Sequence, residues 1–197
     1  MTEQLVADVL TPIAPAPLFA ALRLADPSLS RASLLVLLAQ VALETGWGAC
    51  HCFNLGNIKW TPGCGRDFCT FACTEIIGGR KVTIPAGAPG AQFRAYPTLA
   101  AGAVDYLALL KTRFASAWPA VLAGDPRAFV QELARAHYFT ADELTYENAV
   151  ASLDAQLAKL IPGDPPLPAV APLAQVAIEE AADADSLHDD RPPTDAA

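Results

Sequence analysis

From Ser30 to Thr45 the chain reads Ser-Arg-Ala-Ser-Leu-Leu-Val-Leu-Leu-Ala-Gln-Val-Ala-Leu-Glu-Thr, and this run restricts the fold more than any other stretch. Leu34, Leu35, Val36, Leu37, Leu38, Val41 and Leu43 leave almost no polar face at helical spacing, and a helix that is apolar all round belongs inside a core. A buried strand over 34–38 is the competing assignment; the length of the run and its alanines favour the helix. Its one acid, Glu44, lies three residues past Val41 and seven past Leu37, on the side that is buried. Gly46-Trp47-Gly48 then stops the helix and sets a large ring beside its end.

A carboxyl in apolar surroundings has its charged form disfavoured, which raises its pKa by roughly one to several units. Protonating a leaving group near neutral pH requires such a group. The bland alternative is a helix-terminal Glu that is solvated or paired with a cation such as Lys59.

The rest of the chain predicts helices packed around this one. Thr2 to Leu10 places Leu5, Val6, Val9 and Leu10 on one helical face, with Thr2 as cap. Pro17 opens a short helix through Leu18, Leu22 and Leu24 that ends near Asp26-Pro27. Thr98 caps a helix running to about Phe114, and Pro119 to Ala123 forms a short helical turn. Asp125-Pro126 starts a helix ending near Ala136, and Thr140 with Glu143 reads as a capping box for a helix carrying Leu144, Leu153, Leu157 and Leu160.

Between residues 49 and 95 glycines and short apolar stretches replace the helical pattern. Thr74–Ile77 and Lys81–Ile84 around Gly78-Gly79 read as a hairpin, and Phe93 to Tyr96 as an extended piece halted at Pro97. All five cysteines, Cys50, Cys52, Cys64, Cys69 and Cys73, fall here. A lobe with so little core predicts two disulfides and one free thiol. A structural zinc on Cys50-His51-Cys52 and downstream thiols is the rival arrangement.

Residues 1–162 are read as one domain. Residues 163–197 are read as a Pro-rich linker and an acidic, disordered tail, in which the apolar stretch 173–178 could pack back. Glu179, Glu180, Asp183, Asp185, Asp189, Asp190 and Asp195 are seven of the 21 acids, with Arg191 the one base among them. Most of the formal charge of -8 is therefore tail, and the remainder holds 14 acids against 12 bases. No concentrated positive field is available for nucleic acid. The longest apolar run, Leu34 to Ala39, is far short of the roughly 20 residues that cross a bilayer, so no transmembrane segment is expected. The first ten residues hold Glu3 and Asp8 and no Lys or Arg, so no standard secretory signal is readable.

Ala39-Gln40-Val41-Ala42-Leu43-Glu44-Thr45-Gly46-Trp47-Gly48, followed by Asn54-Leu55-Gly56-Asn57-Ile58-Lys59, resembles the peptidoglycan-cleaving N-acetylglucosaminidases of bacterial autolysins, flagellar rod-cap hydrolases and phage lysins. The likeness continues through Phe93-Arg94-Ala95-Tyr96, Asp105-Tyr106, Ala136-His137-Tyr138-Phe139-Thr140-Ala141-Asp142 and Tyr146, over roughly residues 30 to 160. It implies a mainly α, lysozyme-like α+β fold with a small lobe across a glycan groove, and no cofactor. Glu44 would be the general acid, and Glu75 the second acid, with Asp67 in reserve. Tyr138 would act at the reacting sugar, and Asn54, Asn57, Trp60 and Tyr146 would contact substrate. Gly46, Trp47 and Gly48 would be structural, and His137 a local hydrogen-bonding residue. The chain departs from the family in carrying Gly56-Asn57-Ile58-Lys59 where Phe-Gly-Ile-Lys is usual, and in its cysteine-rich lobe.

The activity so implied is hydrolysis of β-1,4 bonds in peptidoglycan by a monomer acting at the bacterial cell wall or periplasm. A muramidase, a lytic transglycosylase and a non-catalytic wall-binding or morphogenetic module are the alternatives. After protonation by Glu44, three routes stay open: water activated by Glu75, assistance by the substrate N-acetyl group, or attack by the sugar 6-hydroxyl. Without a readable signal, phage lysis or delivery into a competing cell fits, and delivery would imply a cognate immunity protein.

Overall fold

Ser30 begins the central helix. Its side chain accepts from the Ser33 amide at 3.1 Å and caps α1's successor, α2 (Arg31–Glu44), where α1 is Pro15–Ala25. Every residue of α2 from Ser33 to Ala42 is buried, as a helix without a polar face requires. At its other end the Thr45 hydroxyl donates to the Val41 carbonyl at 2.7 Å, and Gly46 turns away at φ +58°. The computed structural model describes residues 3–7, 10–12, 14–46 and 49–164, all within the unit Met1–Pro166. Trp47, Gly48, the acidic tail and the stretch 173–178 lie outside the described residues.

Among the described residues, four further helices complete the helical lobe. They are α3 (Leu99–Thr112), α4 (Trp118–Ala123), α5 (Pro126–Arg135) and α6 (Glu143–Leu160), with a 3-10 turn at Ala115–Ala117 before α4. Thr98 caps α3 by accepting from the Ala101 amide, and Asp125 caps α5 by accepting from the Arg127 and Ala128 amides. Phe19, Leu22, Leu34, Leu37, Leu38, Leu110, Phe129, Leu133 and Leu157 are fully buried together in one core. α6 lies along α2. The Arg31 guanidinium, at the start of α2, donates to the carbonyls of Ala158 (3.1 Å) and Ile161, which ties the start of one helix to the end of the other.

The small lobe consists of antiparallel two-stranded ribbons. β1 (Leu10–Pro12) pairs with β2 (Ala49–His51), β3 (Phe68–Thr70) with β6 (Gln92–Arg94), and β4 (Cys73–Ile77) with β5 (Arg80–Ile84). The β4–β5 hairpin turns on Gly78 and Gly79, both at positive φ, as a tight two-residue turn demands. α3 presses onto the loop that joins the lobes. A Cβ on Gly102 would lie 2.1 Å from the Phe53 carbonyl oxygen, so only glycine fits there.

Several expectations need correction. The opening segment is extended and not helical: the Val6 amide donates to the Phe68 carbonyl at 2.8 Å, and the Phe68 amide to Gln4 at 2.9 Å. Leu5 and Leu10 are 63% and 55% exposed, so their helical spacing does not reflect a buried face. The segment instead satisfies a strand edge that the lobe would otherwise leave open. Thr2 and Val9 lie outside the described residues. The cap of α6 is Asp142 and not Thr140; its carboxylate accepts from the Thr145 amide at 2.8 Å and hydroxyl at 2.7 Å.

No disulfide joins the five cysteines, all of which are described. Cys50 lies in the main core, Cys52 and Cys69 share a satellite cluster with Ala95, and Cys64 and Cys73 are half-buried. Nor do three His, Cys, Asp or Glu side chains converge as metal ligands among the described residues. Burial, with the nearby Cys52 thiol, pushes the Cys50 thiol up to about 12. Among the described residues no helix is long and apolar enough to cross a membrane.

Candidate functional site

A groove of about 590 Å³ runs between the helical and small lobes. Glu44 stands on its helical side, and Lys59, Cys73, Glu75 and Arg94 come from the small lobe. Tyr138 and Tyr146 line it from the turn after α5 and from α6.

The partly buried Glu44 carboxyl closes α2 and accepts the Tyr146 hydroxyl at 2.7 Å. Burial raises its pKa above the usual carboxylate range; the hydrogen bonds from Tyr146 and Asn57 oppose that rise without cancelling it. The Asn57 amide also donates to the Glu44 backbone carbonyl at 2.7 Å, which satisfies one of the open carbonyls of the helix end.

Two tyrosines are set by local geometry. His137, at φ +55°, reverses the chain after α5, and the Tyr138 amide returns to the Leu133 carbonyl at 2.9 Å. The Tyr138 ring meets Phe114 edge-on at 4.8 Å, and its hydroxyl makes a long 3.4 Å bond to the Gly56 carbonyl. Phe139 stacks on Tyr146 at 4.0 Å with the rings nearly parallel. Burial and the Glu44 charge push both phenols above their ordinary pKa, so both remain protonated donors.

The departure at Gly56-Asn57 has a physical cause. A Cβ on Gly56 would meet the Tyr138 hydroxyl at 3.0 Å and the Tyr106 ring at 3.2 Å, so a side chain here would have to displace the tyrosines. Asn57 takes φ +48°, which Asn tolerates, and so adopts a glycine-like conformation while supplying an amide that glycine lacks.

Glu75 occupies the middle of β4, opposite Val82. It pairs with the Lys59 ammonium at 2.7 Å. Lys59 also donates to the Gly90 carbonyl at 2.6 Å and sits 4.1 Å above the Phe93 ring. The two carboxyls therefore face one groove in unlike surroundings, one among phenols and apolar side chains and one against a cation. Lys59 serves Glu75 and not Glu44.

Three expected site residues do other work. Asn54 is wholly buried; its amide donates to the Ile58 and Arg94 carbonyls, both at 2.9 Å, and its oxygen accepts the Ile58 amide at 2.8 Å. With that capacity used, it ties the joining loop to the lobe and does not contact the groove. Trp60 donates to the Arg66 carbonyl at 2.9 Å, packs on Phe68 at 4.4 Å and stands outside the groove lining. Asp67 accepts the Gln4 amide at 3.0 Å and is likewise outside. Asn57 and His137 do line the groove. Gly46 follows the α2 cap at φ +58°.

Sequence reasoning assigned no role to two buried polar centres. Asp105 accepts from the Tyr96 hydroxyl (2.6 Å), from Arg94 (2.7 Å) and from Arg66 (3.3 Å) behind the groove wall. Burial pulls its carboxyl upward, but those hydrogen bonds and charges outweigh it and hold Asp105 below the usual range. Gln40 is buried inside α2, where an amide in an apolar helix was itself a readable signal.

The Glucosaminidase family model, described as mannosyl-glycoprotein endo-beta-N-acetylglucosaminidase, matches residues 29–159. Among solved structures, the chain resembles a peptidoglycan hydrolase mutant from Sphingomonas sp. A1 at 21% identity. That likeness covers 85% of this chain and 96% of the other, with a TM-score of 0.54. A C-terminally truncated glycoside hydrolase domain from Salmonella typhimurium FlgJ is 24% identical over 74% of this chain and 98% of the other, with a TM-score of 0.50. No curated protein matches. At these identities the structural likenesses bear on fold, and the fold is the mainly helical, lysozyme-like one.

Proposed function

This chain belongs to the Glucosaminidase family, and on that premise we propose that it is a peptidoglycan glycoside hydrolase that cleaves glycan strands after N-acetylglucosamine with Glu44 as general acid. One observation carries the assignment: a carboxyl whose proton is favoured by burial opens onto a groove, at the end of a helix that cannot move without disturbing the core.

In this mechanism the protonated Glu44 gives its proton to the glycosidic oxygen as the C–O bond breaks, and the leaving sugar departs as an alcohol. Positive character develops at the anomeric carbon. Glu75, on the opposite wall, supplies negative charge there or takes a proton from the attacking water. The water oxygen bonds to the anomeric carbon, and its proton goes to a carboxylate. The Tyr138 hydroxyl, with only a long bond to Gly56, is the phenol available to the substrate N-acetyl oxygen. Tyr146 serves Glu44 directly.

Mass spectrometry of digested peptidoglycan tests the proposal. Wild-type protein should release fragments with reducing-end N-acetylglucosamine, and a Glu44→Gln protein should bind glycan without releasing any. Reducing-end N-acetylmuramic acid would make it a muramidase, and anhydro ends a transglycosylase. Binding with no release by wild type would leave a wall-binding module.

A further inference from the structure

One turn before Glu44, on the same side of α2, the wholly buried Gln40 accepts the Tyr106 hydroxyl from α3 through its Oε1. Its Nε2 is buried with no hydrogen-bond partner among the described residues. Folded proteins leave few such donors unpaired, because each forfeits its water bonds without replacement. The amide faces the hydroxyls of both Tyr138 and Tyr146. Tyr106 and Tyr138 converge over Gly56, so the three phenols and this amide form one polar cluster beneath the acid.

A phenol has one proton and two lone pairs. The Tyr146 hydroxyl lies 2.7 Å from the Glu44 carboxyl, and it can either donate to the carboxylate or accept from the neutral acid. We infer that Gln40 is a positioning residue whose amide, facing the Tyr146 hydroxyl oxygen without a partner of its own, orients that hydroxyl so that its proton is spent on Glu44. The consequence is a limit on how strongly the pocket holds the acid's proton. Without Gln40, Tyr146 turns to accept from neutral Glu44, the neutral form gains, and the proton is released at higher pH.

The ionisable groups facing Glu44 come from every side. Tyr106 and Arg113 belong to α3 and its end, Tyr138 and His137 to the turn after α5, and Tyr146 to α6. Across the groove, Lys59 and Glu75 are paired with each other, Cys73 sits 3.4 Å from Lys59, and Arg94 is paired with Asp105. Burial keeps the phenols protonated, so His137 is removed as a confounding imidazole by repeating the series in a His137→Gln background.

This inference rests on Glu44 as the acid, and the test separates the two claims. The Glu44 carboxyl is titrated by carbon-13 NMR in protein labelled at glutamate carboxyls, its signal assigned with Glu44→Gln, and kcat/KM on peptidoglycan is followed against pH. Gln40→Met should raise the Glu44 midpoint by about half a unit or more and move the alkaline limb of kcat/KM equally. Tyr146→Phe should shift it too, and Gln40→Met added to Tyr146→Phe should shift it no further. If Gln40→Met does not fold, Gln40→Met with Tyr106→Phe removes both buried partners together and carries the same readout. A midpoint raised by less than about half a unit, or shifts that add in the double variant, overturns the role of Gln40. A moved midpoint with an unmoved alkaline limb supports Gln40 and rejects Glu44 as the acid.

Discussion

The Tyr146 hydroxyl, on a residue 102 positions further along the chain, donates to Glu44 Oε1 across 2.7 Å. This bond opposes the effect of burial on the acid, so the phenol and the apolar pocket set the Glu44 proton affinity between them.

Glu44→Gln should abolish turnover, with a fall in kcat of at least about 10²–10⁴. Its effect on stability has the opposite sign. A carboxyl whose folded pKa is raised contributes stability below its unfolded value of about 4.3, and loses it as pH rises through the folded value. At neutral pH the buried charge is therefore a cost that Gln removes. Thermal melts should show Glu44→Gln no less stable than wild type at pH 7.5, with the difference shrinking towards pH 4. A lower Tm for the variant at pH 7.5 would contradict the burial argument.

Tyr146→Phe removes the hydrogen bond that lowers the Glu44 pKa, so the acid should hold its proton to higher pH. The expected result is an alkaline limb of kcat/KM displaced upward, with about a tenfold loss at the optimum from poorer alignment. A downward displacement would mean that Tyr146 accepts from the acid in the free enzyme.

Asn57 combines a left-handed backbone with an amide bond to the last carbonyl of α2. Asn57→Gly keeps the conformation and loses the bond, and should cost about 1 kcal/mol. Asn57→Ala loses both, and should cost about 2 kcal/mol. Urea denaturation of the two variants checks both parts: were the amide to contribute nothing, Asn57→Gly would cost nothing while Asn57→Ala would still cost about 1 kcal/mol.

Gly102→Ala drives a methyl group to 2.1 Å from the Phe53 carbonyl oxygen, a backbone atom that cannot step aside alone. Overpacking of this kind should cost about 3 kcal/mol. Because the shift falls on the loop leading to Asn57, activity should fall along with the urea midpoint.

Asp105→Asn breaks a buried charge cluster, and should cost about 3 kcal/mol at pH 7. The folded pKa of Asp105 is lowered, so its stabilisation is present above the unfolded value of about 3.9 and is lost as pH falls through the folded one. The difference in urea midpoint between wild type and variant should therefore be largest at pH 7 and narrow as pH falls below about 4.

The helical lobe was legible because its signals are local. Thr98 and Asp125 each cap the helix expected from them, and the unbroken apolar run from Leu34 predicts the buried axis directly. The position of Glu44 followed from helical period alone. The small lobe was not legible in the same way. Leu5 and Leu10 have helical spacing, but strand-edge hydrogen bonding to Phe68 decides their backbone, and that partner is remote in sequence. Asn54 and Trp60 are residue types that suit sugar contact, and only the fold shows their polar atoms spent on Ile58, Arg94 and Arg66. The five cysteines share a short window without sharing one locus.

α2 and α6 are joined at both extremities, by Arg31 on the carbonyls of Ala158 and Ile161 and by Tyr146 on Glu44. The pair is thus a closed frame whose two long sides must match in residue count. One residue inserted between Arg31 and Glu44 would rotate everything beyond it by about 100° and take Glu44 out of phase with Tyr146. Length variation in the ribbons and turns of the other lobe leaves this frame untouched.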